Sequence, residues 1–232
     1  MYTFDYLVFI GRFQPFHLAH LQTIEIALQR SAQVVLALGS AQNERNIKNP
    51  FSALEREQMI LANFSETEQQ RIKFVHVIDV YNDKKWVQLL KDVVDQVMQP
   101  SAKVGLIGHF KDDSSYYLRL FPEWQLVELD SLKDSISATP LREAFYRGEI
   151  QTEYFPNGTI QFLQQFKNTT YYSQLQQKFH AADDSNLEDV WWERTYIFLK
   201  ISRFVSHAKL GKTKWAKTAL VAFNNNCKSI LM

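Results

Sequence analysis

Gly11-Arg12-Phe13-Gln14-Pro15-Phe16-His17-Leu18-Ala19-His20 stands between an apolar run, Tyr6-Leu7-Val8-Phe9-Ile10, and a segment where Leu21, Ile24, Ala27 and Leu28 recur at helical spacing. The run reads as a buried strand and the spacing as a helix, so the chain goes strand, tight turn, helix. His17 and His20 lie three apart on the first turn of that helix and share a face. A helix N-terminus leaves backbone N–H groups without partners and carries a partial positive charge. Gly11 lets the backbone turn sharply and come close to a ligand. Arg12 can clamp a phosphoryl group bidentately. Together these residues read as a phosphate site. Zinc held by the two histidines would need a third ligand, and no neighbouring cluster supplies one.

Outward from this element, apolar runs and amphipathic stretches alternate. Gln33–Leu38, Ile72–Ile78, Val104–Ile107 and Gln125–Leu129 read as further strands. Ser52 opens a helix with a capping-box pattern completed by Glu55. Trp86 to Val97 has helical spacing, as has Ser114 to Leu120, and Thr139-Pro140 opens another helix with Thr as N-cap. Strands separated by helices imply right-handed crossovers and a parallel sheet with helices on both faces, a Rossmann-like α/β fold. Ligands in such sheets sit beyond the carboxyl ends of the strands. Past Tyr154 the alternation stops; Ile160, Leu163 and Phe166 mark one more helix, and Thr169–Asp184 reads as a linker or short helix. The expected organisation is a domain over residues 1–170 and a linker with a basic helical extension over 171–232.

At 232 residues, 46% hydrophobic and 14% aromatic, the chain suits one large domain, or one domain plus a smaller appendage. Its net charge of +1 makes no demand for nucleic acid or a membrane surface. The lone cysteine, Cys227, excludes an intrachain disulfide and a cysteine zinc site. Met1–Asp5 has no basic segment leading into an apolar one, and no run reaches the roughly 18 apolar residues a bilayer span needs. The expectation is a protein of the reducing cytoplasm. From Trp191 onward eight Lys/Arg stand against Glu193 alone. That segment reads as an extension packing on a neighbouring subunit of a homo-oligomer, or as the remnant of a second domain.

Four further segments carry chemistry, each just after an expected strand or at a helix start. Ile136-Ser137-Ala138-Thr139-Pro140-Leu141-Arg142 places hydroxyls and a guanidinium at a helix start, a second phosphate cradle or a plain cap. Gly39-Ser40-Ala41-Gln42-Asn43 leads through a loop bearing Arg45 and Lys48 to Asn49-Pro50-Phe51-Ser52 and Glu55-Arg56. The last two residues also read as a surface charge pair. In Asp79-Val80-Tyr81-Asn82-Asp83-Lys84-Lys85-Trp86 the indole can stack a flat cationic ring or anchor the next helix in the core. Gly108-His109-Phe110-Lys111-Asp112-Asp113-Ser114-Ser115-Tyr116-Tyr117 offers His109 and Lys111 to phosphate or adenine, or forms a solvated loop.

The opening element resembles that of the nucleotidylyltransferase superfamily, whose hallmark is a (His/Thr)-x-x-His pair after the first strand. Its longer form resembles the nicotinamide mononucleotide adenylyltransferases, in the branch of archaeal enzymes and Nudix-fused bacterial ones. The Ile-Ser-x-Thr-x-Leu-Arg segment matches that family's second phosphate element at each position. The Asp79–Trp86 segment resembles its nicotinamide element, with Ile78 where the family has proline. The resemblance covers residues 4–170 and implies a fold of nucleotidylyltransferase type and the reaction ATP + nicotinamide mononucleotide → NAD + pyrophosphate. It implies that His17, His20, Arg12 and Arg142 carry the catalysis. It also implies that Gly11, Phe13, Ser40, Ser137, Thr139, Arg142 and His109 bind ATP, while Asp79, Asn82, Trp86 and Arg56 bind the nicotinamide nucleotide. Mg²⁺ would be held mainly by the ATP phosphates, with no protein metal ligand.

No G-x-G-x-x-G occurs, so NAD is expected as a product and not as a bound redox cofactor. No Nudix signature occurs, and no pyrophosphatase activity is expected. Two other readings stay open: transfer to another phosphomonoester acceptor, and a non-catalytic nucleotide sensor.

Overall fold

The computed structural model describes residues 2–80, 82–110, 113–129 and 137–182. Tyr81, Lys111, Asp112, Ile136, Asp184 and the basic segment from Trp191, with Cys227, lie outside the described residues. Strands β1 (Phe4–Gly11), β2 (Ser31–Leu38), β3 (Ile72–His76), β4 (Val104–Gly108) and β5 (Gln125–Glu128) form a parallel sheet in the order β3-β2-β1-β4-β5. The strand order reverses between β1 and β4, so the crevice beyond their C-terminal ends is where such a sheet takes its ligand. The helices are α1 (Leu18–Arg30), α2 (Ala53–Leu61), α3 (Glu66–Gln69), α4 (Asp83–Asp95), α5 (Ala138–Tyr146) and α6 (Asn157–Phe166). A further helix, α7, covers 170–182.

The side-chain alternation of β1 builds both faces. Leu7 and Phe9 enter a core with Ile24 of α1, Met59 and Ile60 of α2, Phe145 of α5 and Leu163 of α6. Tyr6, Val8 and Ile10 enter the other core with Leu90 and Val94 of α4. The helices therefore cover both faces, as the alternation along the chain predicts. Tyr172 and Leu175 of α7 are buried in the first core, and the compact unit runs Met1–Phe179. No described helix is long and apolar enough to cross a membrane.

Several boundaries differ from the sequence expectation for local reasons. α4 starts at Asp83, ahead of Trp86, because the Asn82 side chain accepts from the Lys85 amide at 3.0 Å and caps it. α5 takes Ser137 and not Thr139 as N-cap. Pro140 then sits at the third helical position, where its missing N–H is one the helix leaves unpaired anyway. Residues Asp113–Arg119 form a 3₁₀ turn in place of an α-helix, and the stretch expected as linker or short helix is α7. The capping box at α2 is present: Ser52 Oγ accepts from the Glu55 amide and Glu55 Oε2 from the Ser52 amide at 2.8 Å.

Gly158 marks the contact of α6 with the end of α2. A Cβ there would lie 2.6 Å from the Ala62 carbonyl oxygen, a backbone atom that cannot swing away. Gly158→Ala is expected to cost about 1–3 kcal/mol by overpacking. Urea denaturation checks it as a lower midpoint at unchanged slope.

Candidate active site

The turn from β1 into α1 explains the spacing of the two histidines. His17 is the N-cap of α1 and His20 its third residue. The His17 amide donates to His20 Nδ1 at 3.3 Å, so His20 does what a capping-box glutamate does elsewhere. With Nδ1 accepting, the proton of neutral His20 sits on Nε2. The two imidazoles stack at 3.6 Å between centroids, and the edge of Phe13 packs on His20 at 4.9 Å. His17 is buried and His20 half-buried. The positive φ of the turn falls at Phe13 (51°) and not at Gly11. A Cβ on Gly11 would lie 2.8 Å from the Phe13 ring, so glycine is needed there to seat that ring. Phe13, expected among the ATP-binding residues, is 1% exposed and shapes the turn from below.

Buried guanidiniums fasten this turn to the rest of the fold. Arg56, 1% exposed, donates through Nη1 to the carbonyls of Arg12 and Gly39, both at 2.8 Å. It ties the end of β1 to the end of β2 and lines neither of the cavities that open around Arg12. Nor does it form a surface pair with Glu55, which is paired with Arg45. Burial, with the positive charge of Arg12 adding to it, brings the Arg56 pKa down to about 10, so the group stays charged at neutral pH. Arg142 is also buried; its Nη1 donates to the Gln14 carbonyl at 2.8 Å and its Nη2 to the Thr139 hydroxyl at 3.2 Å. Burial first, and then Arg12, lowers its pKa too. Gln14 completes the clasp through paired bonds to the Phe51 backbone, 2.8 Å to its carbonyl and 3.0 Å from its amide.

Two cavities open around Arg12. One, about 520 Å³, is lined by Gly11, Arg12, Ser40, Asp79, Asp83, Trp86, Tyr116 and Tyr117 among others. The other, about 380 Å³, is lined by Arg12, Lys48, Thr139, Arg142, Tyr146 and Phe179 among others. Arg12 and Arg142, 130 positions apart, thus face the same space. In the larger cavity Asp79 accepts from the Ser40 hydroxyl (3.0 Å) and the Asn43 amide (2.9 Å), which locks the loop after β2 to the loop after β3. Ser40, expected beside ATP, therefore stands with Asp79 and Trp86. Trp86 lines this cavity and also packs edge-on against Tyr117 and Phe121 at 6.0 Å, so it serves site and core together. Asn82 spends its side chain on capping α4. His109 follows β4 and lines neither cavity; Ser137 stands at the start of α5.

Sequence reading passed over Asp83, Tyr116 and Tyr117. The signal was there: Asp83 precedes Trp86 by three, one helical face. Among the described residues no group of three His, Cys, Asp or Glu can hold a metal ion. The lining of the smaller cavity sets Arg12, Lys48 and Arg142 against the single carboxylate Glu143, which suits phosphate better than a metal cage.

The chain belongs to the cytidylyltransferase-like family, which matches residues 8–157. It is 66% identical over 187 residues to a nicotinamide/nicotinic acid mononucleotide adenylyltransferase of Acinetobacter baylyi, covering 81% of this chain and 100% of that one. It is 26% identical over 162 residues to a nicotinamide-nucleotide adenylyltransferase of Thermococcus kodakarensis, covering 69% and 82%. The fold is similar to that of a bifunctional NMN adenylyltransferase/ADP ribose pyrophosphatase of Francisella tularensis, crystallised with AMP and a Mn ion, with a TM-score of 0.70 and 35% identity. That match covers 84% of this chain and 56% of the Francisella chain.

Proposed function

We propose that this chain transfers the adenylyl group of ATP to nicotinamide mononucleotide, giving NAD and pyrophosphate. The observation that carries the reading is the position of Arg12 in the wall of both cavities. The larger cavity, with the indole of Trp86, takes the mononucleotide; the smaller, with Lys48, Thr139 and Arg142, takes the triphosphate. A phosphate oxygen of the mononucleotide attacks the α-phosphorus in line. The bond to the β-phosphate oxygen breaks and pyrophosphate leaves with its electron pair. No protein nucleophile is needed, so catalysis is positioning and stabilisation of spreading negative charge. His20, held by its Nδ1, presents Nε2–H to that charge; Arg12 holds the reacting phosphates together; Arg142 holds the leaving side. ATP enters as its Mg²⁺ complex, so the ion comes as part of the substrate. The names of the Acinetobacter and Thermococcus relatives support the acceptor, and the Mn ion crystallised with the Francisella relative supports a divalent cation. The cytoplasm, where ATP is made and used, is the compartment this reaction fits.

Pyrophosphate release from ATP, measured with nicotinamide mononucleotide, nicotinic acid mononucleotide and phosphopantetheine, tests the reading. Turnover with a pyridine mononucleotide is expected; turnover with phosphopantetheine alone, or with none, overturns it. His20→Ala is expected to lower kcat about 10²-fold with folding intact, the loss of one preorganised donor. Unchanged turnover would remove His20 from the mechanism.

A further inference from the structure

Resting on that assignment of the larger cavity, we propose that Asp83, held by Tyr116, is the residue that selects a nicotinamide over a nicotinate ring. The two acceptors differ at one place, a neutral carboxamide against a carboxylate. The cavity's described lining contains three charged groups: Arg12, Asp79 and Asp83. Arg12 faces the phosphates. Asp79 is already engaged through both oxygens, with the Ser40 hydroxyl at 3.0 Å and the Asn43 amide at 2.9 Å. Asp83 is engaged on one oxygen, Oδ1, which accepts from the Tyr116 hydroxyl at 3.0 Å.

Asp83 and Trp86 are three apart on α4, and both line the cavity. A pyridine ring lying on the indole brings its edge to the turn that carries Asp83. A carboxamide offers two N–H donors to the second oxygen of Asp83; a carboxylate offers none and repels it. The Tyr116 bond bridges 33 positions of sequence, from the 3₁₀ turn Asp113–Arg119 to the first residue of α4, and limits where the carboxylate can swing. Tyr117, the next residue of that turn, packs on Trp86 and sets the indole beside it. One short segment thus positions both the stacking surface and the charge.

The experiment measures kcat/KM for nicotinamide mononucleotide and for nicotinic acid mononucleotide at saturating ATP, with the full chain, its Asp83→Asn variant and its Tyr116→Phe variant. Wild type is expected to favour the nicotinamide form. Asp83→Asn is expected to move the ratio of the two values toward nicotinate by about tenfold, mostly through KM of the nicotinate form. Tyr116→Phe keeps the charge but frees it, and a shift of about twofold to threefold in the same direction is expected. A ratio unchanged in Asp83→Asn overturns the proposal, including the case where both activities fall by one factor. A wild type that favours nicotinate overturns it as well. If wild type turns over neither mononucleotide, the assignment of the cavity falls and this proposal with it. Turnover with an unmoved ratio removes Asp83 alone.

Discussion

Arg12→Ala is expected to lower kcat/KM for adenylyl transfer by about 10³-fold while leaving the protein at least as stable as wild type. The side chain is exposed and lines both cavities, so its loss weakens the hold on each substrate and on the phosphates between them. A single preorganised donor is worth about 10²–10³ in rate, and a residue shared by two subsites belongs at the upper end. The stability half of the prediction follows from charge. Arg12 lowers the pKa of both Arg56 and Arg142, behind burial in each case, which means that its guanidinium repels each of the two buried ones. Removing the exposed member relieves that repulsion and takes away no hydrogen bond among the described residues, because Arg56 bonds to the Arg12 carbonyl and not to its side chain. Steady-state kinetics with thermal unfolding on the same samples checks both halves. Added ATP should raise the wild-type melting temperature more than that of the variant, since the anion is what the cluster binds. A variant that loses rate and melts much lower would mean that Arg12 is structural.

Arg56→Met is expected to destabilise the chain by about 3 kcal/mol. The guanidinium satisfies the buried carbonyls of Arg12 and Gly39, and its Nε donates to the Ser52 carbonyl at 3.3 Å. Buried acceptors left without a donor cost about 1–3 kcal/mol each. Part of that is offset, because methionine fills similar space without burying a cation, a burial already visible in the lowered pKa. A surface arginine in a helix-face pair would change stability by only about 0.5 kcal/mol. Urea denaturation separates the two, and a change under about 1 kcal/mol would show that the staple between β1 and β2 is not what holds the turn. Activity should fall in step with stability, since the backbone of Arg12 and the loop of Ser40 lose their common tie.

Much of the site was legible from residue order because its physics is local. Apolar runs and helical spacing locate the strands and helices, since burial of one face imposes the period. His17 and His20 could be placed at a helix start because N-cap and third-residue positions are three apart by helix geometry. The Ser137–Arg142 segment could be read as a helix start for the same reason, although the cap proved to be Ser137. Helix starts shift by a residue or two from the sequence expectation, at Asn82 because its side chain caps the helix and at Ser137 with no side-chain cap bond.

What residue order left undecided was which polar side chain faces the cavity and which is consumed by the fold. Arg56 and Arg142 look alike in sequence, and both are buried; one staples two strand ends, while the other lines the smaller cavity. Phe13 was read as a ligand contact and is packed beneath Gly11. Ser40 meets Asp79 across 39 positions, Arg142 meets the Gln14 carbonyl across 128, and Tyr116 meets Asp83 across 33. Periodicity carries no information about such pairs, because each depends on where the sheet and its crossovers bring separate loops together. The chain alone set the strand-turn-helix order and the chemistry of its cations; the folded sheet decided that Arg12 would stand between two cavities, since only packing at a shared edge can bring those walls to one side chain.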